Sequence, residues 1–252
     1  MVEKDTGGVQ SVSRVFALLE VLTTLGGEAG VGELSEGLGL PAPTIHRLLR
    51  TLAQRGYVMQ LPSRRYSLGP GLIRLGEAAT RRLSSWALPA LSRLGEATGE
   101  TVNLAVLDGD LAAYVAQVPS KHQMRMFTEV GRRVLPHAAG VGKALLAQLS
   151  DEEVSAIVER TGLPSYTPTT LTSKTALLAE LAGIRRRGYA IDEGEQEVGV
   201  RCFAVPIPGL ALPMAVSISG PAGRVTLATA ERMVAALGDA AASLRAAVPE
   251  RV

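Results

Sequence analysis

A single cysteine, Cys202, stands among 252 residues. No intrachain disulfide framework can form, and the chain suits a reducing cytoplasm. Long apolar runs are also missing: none reaches the roughly 18 residues of a membrane-spanning helix. The first ten residues, MVEKDTGGVQ, mix charges and lack the apolar stretch of a secretory signal. Net charge is low at +2, so overall charge does not announce a nucleic-acid partner. The three histidines, His46, His122 and His137, are scattered, whereas a metal site needs clustered ligands at characteristic spacing. No metal and no other cofactor is expected. The 46% of apolar residues that remain describe a globular protein with one large domain or two smaller ones.

Charge is unevenly placed. Between Leu40 and Arg82 lie Arg47, Arg50, Arg55, Arg64, Arg65, Arg74, Arg81 and Arg82 against one acid, Glu77. Such local positive charge can neutralise phosphates in a nearly balanced chain, although a solvated face is the plainer alternative. The surrounding pattern favours phosphates. Val12, Val15, Phe16, Leu19 and Leu22 recur at helical spacing, predicting an amphipathic helix over 11–25 that Gly26-Gly27 stops. A second helix spans 31–37 with Leu34 and Leu38 inward. After Gly39-Leu40-Pro41 a third helix starts near Ala42, with Pro43 in its first turn, where the missing N–H costs nothing. Ile45, Leu48, Leu49 and Leu52 make its buried stripe, so Thr44, His46, Arg47 and Arg50 project outward. Two strands follow, from Gly56 and from Tyr66, joined by a turn that puts Arg64 and Arg65 at its tip.

Helix, helix, outward-facing helix and β-hairpin, in that order, make a winged helix-turn-helix. Thr44, His46 and Arg47 are the candidates for base edges in the major groove. Arg50, Arg64 and Arg65 are candidates for phosphates or the minor groove, and Arg14 of the first helix joins the DNA-facing set.

A further helix carries Leu72, Leu75, Gly76, Ala79, Leu83 and Trp86 on one face, a seam suited to a second subunit or to the chain's own second domain. Pro89 is expected to break the chain before a new helix over 90–97. Alternating residues then predict strands over 101–107 and 111–118 around Asp108-Gly109, with a third strand over 124–130. Helices over 141–149, 151–161 and 173–187, strands over 189–192, 201–207 and 213–219, and a last helix over 226–247 complete the pattern. The fold expected is α/β of the α+β kind with an antiparallel sheet. Its divisions are a DNA-binding domain over 1–69, a linker helix over 70–88 and a second domain over 89–252.

One stretch, LPHAAGVGKALLAQL from Leu135 to Leu149, poses the question of a phosphate loop. A triphosphate loop needs glycine five residues before its Gly-Lys pair and a hydroxyl after it. Here those places hold His137 and Ala144, which argues against ATP. A compact anion beside the glycines fits better. An enzyme using Cys202 with His137 or His122 is the competing reading. Against it, Cys202 sits in an apolar strand, where a free cysteine is usually a small buried hydrophobe.

The phrases SVSRVFALLEVL, GLPAPTIHRLLRTLAQRGYV, RYSLGPGLIRLG, VGRRVLPHAAGVGKALLAQL, RRRGYAIDEGEQEVGVRCFAVPI and AVSISGPAGRV together resemble the IclR family of bacterial transcription regulators over nearly the whole chain. The resemblance implies operator DNA and a small-molecule effector as partners. It also implies a linker helix in dimer contacts, assembly as a homodimer or dimer of dimers, and a GAF-like effector-binding domain. Carried over by position, the effector pocket falls on Met126, Gly140, Val141, Asp192, Cys202, Ser217 and Ser219. The chain departs from the family pattern at Gly194 and in a shortened turn between Cys202 and Ser217. HQMRM and LPHAAGVGKALLAQL look most like members sensing glyoxylate, pyruvate or allantoin-pathway products, so the implied effector is a small carboxylate or ureide.

Overall fold

The computed structural model describes residues 8–248, so residues 1–7 of the expected DNA-binding domain and 249–252 of the expected second domain lie outside it. The chain divides into two compact units inside one helix, between Ala79 and Thr80, whereas the sequence reading places boundaries at 69 and 88.

In the first unit, α1 (Gln10–Thr24), α2 (Val31–Leu38) and α3 (Ala42–Gln54) pack around Leu18, Leu22, Leu34, Ile45, Leu49 and Leu52. Each such leucine or isoleucine contributes about 1.5–3 kcal/mol on burial. Gly39 ends α2 at φ 62°, a left-handed turn that redirects the chain into α3 without steric penalty. A three-stranded sheet closes the unit in the order β1 (Glu28–Ala29), β3 (Tyr66–Leu68), β2 (Val58–Gln60). The two-residue β1 was not anticipated, being too short to alternate. The inward face of α1 also differs from expectation. Leu18 and Leu22 are buried, while Val12 and Phe16 are 50% and 61% exposed.

Helix α4 runs unbroken from Gly71 to Thr98 with Pro89 inside it, contrary to the expected break. A proline in a helix interior costs about 3 kcal/mol. Here Ala87, Ala90, Leu91 and Leu94 flank it in the core of the second unit, and their burial offsets that cost. In the predicted seam, Leu75 is 53% exposed and Trp86 is partly buried; the side chain of Leu83 lies outside what is described.

The second unit is a six-stranded antiparallel sheet covered on both faces. Its strands are β4 (Thr101–Asp108), β5 (Leu111–Val118), β6 (Arg133–Val134), β7 (Ala190–Glu193), β8 (Val200–Ile207) and β9 (Met214–Pro221), in the order β6-β5-β4-β9-β8-β7. Strand period two sorts the side chains. Val102, Leu104, Val106, Phe203, Val205, Val216 and Ile218 pack with the end of α4 and with α8 (Ala230–Ala247). Ala105, Leu107, Ala204 and Ala215, one position out of phase, meet α5 (Gly140–Leu146), α6 (Asp151–Thr161) and α7 (Lys174–Arg187). The predicted strand over 124–130 is absent. Met124, Phe127 and Val130 are 72%, 66% and 51% exposed, and pairing with the free side of β5 comes later in the chain, at Arg133–Val134. Among the described residues no helix is long and apolar enough to cross a membrane.

Candidate functional site

Two surfaces carry the predicted residues, one on each unit. On the first, the stripe of Ile45, Leu48, Leu49 and Leu52 turns the other side of α3 to solvent, leaving His46, Arg47 and Arg50 exposed and Thr44 half-buried. With Gln60 and Tyr66 of the hairpin, His46, Arg47 and Arg50 line one hollow. Arg64 sits at the hairpin tip with φ 64°, and Arg14 is half-exposed on α1. Arg65, expected beside Arg64 at phosphates or in the minor groove, is engaged within the unit. Its guanidinium lies 3.0 Å from Glu28 Oε1 and 2.8 Å from Glu33 Oε2, and it donates to the Glu28 carbonyl at 3.3 Å. These contacts tie the hairpin to the start of α2. They lower the pKa of Glu33, where the Gly30 amide contributes most, and raise that of Arg65, where Glu33 contributes most.

On the second unit, sheet register assembles the rest. Thr101 stands opposite Ser219, Ser219 opposite Cys202, and Cys202 opposite Asp192, one polar row across β4, β9, β8 and β7. All four side chains are buried on the face that α5–α7 cover. Ser217, two residues before Ser219 on β9, shares that face and opposes Asn103 of β4. Gly140 begins α5 directly against the row, for a Cβ there would lie 2.9 Å from Cys202 Sγ and 3.3 Å from Asp192 Cβ. Val141, next in the helix, is buried beside it. Met126 is half-buried, and its carbonyl accepts from Thr101 Oγ1 at 3.2 Å.

The electrostatics of the row follow from burial. Desolvation pushes the Asp192 carboxyl up to about 6, against amide donors from Glu195, at 2.7 Å, and Gly140 that favour the ionised form. Burial likewise pushes the Cys202 thiol up to about 12, with the Asp192 charge adding to it. A thiol held that high is not a nucleophile at neutral pH. His137, its proposed partner, is buried with Nε2 3.0 Å from the Pro164 carbonyl and has a lowered pKa, burial being the main cause. His122 packs near Gly99 instead. The Cys–His enzyme reading therefore loses its geometry.

The phosphate-loop question is also answered. Lys143 turns inward, 1% exposed, with Nζ 2.5 Å from Glu195 Oε1 and 3.9 Å from Glu180 Oε1. Gly142 is a packing glycine, since a Cβ there would meet Pro136 Cα at 2.4 Å.

Sequence reasoning missed Asn103, Gln117 and Thr128. Asn103 is fully buried, and its Oδ1 accepts from Thr128 Oγ1 at 2.7 Å and Gln117 Nε2 at 3.2 Å. Among the described residues its Nδ2 has no partner, and Ser217 Oγ has only the weak Cys202 thiol beside it. A usable signal was present. Val102, Leu104, Ala105, Val106 and Leu107 make β4 apolar on both faces, so its one amide had to be buried.

Comparison with known proteins agrees with both halves. The model of the IclR helix-turn-helix domain matches residues 11–62, and that of the bacterial transcriptional regulator IclR C-terminal region matches residues 78–246. The transcriptional repressor IclR of Escherichia coli is 41% identical over 228 residues, covering 88% of this chain and 83% of that protein. The crystal structure of an IclR transcriptional regulator from Silicibacter sp. superposes with a TM-score of 0.84 at 31% identity, covering 94% of this chain and 95% of that one. An IclR homologue from Microbacterium hydrocarbonoxydans, solved with 4-hydroxybenzoate, superposes with a TM-score of 0.74 at 25% identity over 94% of this chain and 98% of its own. These relatives are regulators rather than enzymes, and a winged helix-turn-helix followed by an α-covered antiparallel sheet is their architecture. The chain belongs to the IclR family of bacterial transcriptional regulators.

Proposed function

We propose that this regulator is an operator-binding repressor released or engaged by a small carboxylate or ureide that binds against the row of Ser219, Cys202 and Asp192. The observation that carries the effector half is that row itself: buried polar groups in register across neighbouring strands, with Asn103 and Ser217 beside them, on a face otherwise made mainly of alanine and aliphatic residues. Buried polar groups are costly to a fold, and clustered ones on a covered face suit a ligand better than a core. Ser217, Gly140, Val141 and Met126 complete the pocket. The relative solved with 4-hydroxybenzoate supports a carboxylate. An ionised Asp192 favours instead the N–H groups of a ureide such as allantoin.

The DNA half rests on the exposed face of α3. Thr44, His46 and Arg47 reach for base edges, while Arg50, Arg64 and Arg14 meet phosphates. Exposed Val12 and Phe16 on α1, with Ile73 and Leu75 on α4, suit a homodimer or dimer of dimers, which a pair of operator half-sites would match.

Gel-shift titration with DNA upstream of the chain's own gene tests the reading, with glyoxylate, pyruvate, allantoin and allantoate added at up to millimolar concentration. One of them should change the fraction of DNA bound and raise the melting temperature of the protein. Absence of both effects for all four compounds removes this effector class; absence of any DNA shift removes the regulatory reading of this operator.

A further inference from the structure

Of the three buried side-chain atoms that lack a hydrogen-bond partner among the described residues, Glu195 Oε2 belongs to the Lys143 pair and the other two stand next to each other on the sheet. Asn103 and Ser217, 0% and 1% exposed, are directly opposed residues of β4 and β9. Opposed side chains in an antiparallel pair have Cβ atoms about 4.5–5.5 Å apart. Yet Asn103 Nδ2 has no partner among the described residues, and Ser217 Oγ has only the weak neighbouring thiol of Cys202. Buried polar groups are almost always paired, and two adjacent exceptions call for an acceptor that arrives from outside the chain. The neighbouring side chains on that face are small. Ala204 opposes Ser217 on the other side, and Ala105 opposes Ala215 one step along the same face.

We propose that Asn103 Nδ2 and Ser217 Oγ jointly hold one oxygen of the effector, a carboxylate or carbonyl oxygen, which makes Asn103 a binding residue of the pocket. This rests on the reading of the polar row as an effector site, and it adds the donor pair that fixes the ligand's acceptor end. The far end of the amide is what presets it. Gln117 and Thr128 both donate to Oδ1, which turns Nδ2 away from them before any ligand arrives. Thr128, itself 4% exposed, belongs to the segment between β5 and β6, so the same amide links the ligand to that segment. A ligand lacking the oxygen leaves both donors unpaired and is rejected for that reason.

The test uses the full chain and calorimetric titration with glyoxylate and with pyruvate on wild type, Ser217→Ala, Asn103→Leu and the double variant. Each single change should weaken the better probe by about tenfold or more. The double variant should lose less than the product of the two singles, because both donors serve one oxygen. Asn103→Leu risks the fold, so Ser217→Ala decides if that variant cannot be purified. Its hydroxyl gives up only a weak contact with the Cys202 thiol, and the ligand-free variant should melt close to the wild-type temperature. A clear fall in that melting temperature, or a dissociation constant unchanged within about twofold, overturns the donor pair while leaving the effector site standing. Wild type that binds neither probe overturns both together.

Discussion

Lys143 Nζ lies 2.5 Å from Glu195 Oε1, and the two side chains are 1% and 9% exposed. A buried pair of this kind stabilises little over an apolar replacement, but breaking it strands a charge. Lys143→Met is therefore expected to destabilise the second unit by about 3–5 kcal/mol near neutral pH. Burial already holds the Glu195 carboxyl above its ordinary range, so protonation relieves the stranded group and the penalty should shrink as pH falls. Lys143→Met with Glu195→Gln should recover much of the loss. Urea unfolding at pH 7.5 and pH 5 checks all three statements; a single variant as stable as wild type would refute the buried pair.

Gly140 gives a prediction about close packing. A methyl group there would sit 2.9 Å from Cys202 Sγ and 3.3 Å from both Cys202 Cβ and Asp192 Cβ. Gly140→Ala should cost about 1–3 kcal/mol, the usual penalty for overpacking a core. Removing the sulfur with Cys202→Ala should restore part of that, since the tightest contact goes and the 3.3 Å contacts remain. Thermal melts of the two singles and the double variant measure the coupling, and strict additivity would contradict the contact.

How far the sequence reached can be judged from these residues. Strands β4, β5, β8 and β9 were legible because runs of β-branched and apolar residues bounded by turn residues follow directly from two covered faces. The segment 124–130 alternates, yet Met124, Phe127 and Val130 face solvent. Pattern alone cannot tell apolar residues with a core to enter from those without one. Pro89 misled for the opposite reason, since local helix breaking was outweighed by Leu91 and Leu94 packing in the core. In the site, Gly140, Asp192, Cys202, Ser217 and Ser219 came from resemblance and converge in register. Asn103 was legible from the apolar residues on both sides of it in β4 but was passed over, whereas the Lys143–Glu195 pair lay beyond reach. Which carboxylate faces a lysine 52 positions away depends on tertiary packing.

Asp192 should make stability and ligand binding depend on pH. Its carboxyl is raised from 3.8 to about 6 in the fold, so the folded state holds a proton that the unfolded chain has released. The stability this contributes is full below pH 4 and is lost as pH rises through 6, an effect on the order of 2–3 kcal/mol. Asp192→Asn, which stays neutral, should therefore gain stability over wild type at pH 8 and lose that advantage near pH 4. A carboxylate effector meets less repulsion when Asp192 is protonated, so glyoxylate should bind more tightly at pH 5.5 than at pH 8. Lys143 and Glu195 also act on the Asp192 carboxyl, and the Cys202 thiol, which the Asp192 charge pushes up, stays protonated throughout. Titrations across this range settle the point, and a pH dependence that survives in Asp192→Asn would assign it to another group.

Arg47, Arg50 and Arg65 should behave differently although all three lie in the first unit and two adjoin the same hollow or hairpin. Arg47 and Arg50 are exposed on α3, whereas Arg65 is held by Glu28 and Glu33. A phosphate contact contributes to the salt dependence of binding because it releases counterions, about one unit of slope in log K against log salt for each contact. Arg50→Ala should weaken binding to all sequences and lower that slope by about one. Arg47→Ala, if Arg47 reads a base, should instead cost specific binding about 1–3 kcal/mol and relax preference at one position. Arg65→Ala should leave the slope unchanged and lower the melting temperature of the first unit, because it releases the hairpin from α2. Shift assays from 50 to 200 mM salt, on operator and on unrelated DNA, separate the three. A slope change for Arg65→Ala as large as for Arg50→Ala would return Arg65 to the phosphate-binding set and remove its role as a strut.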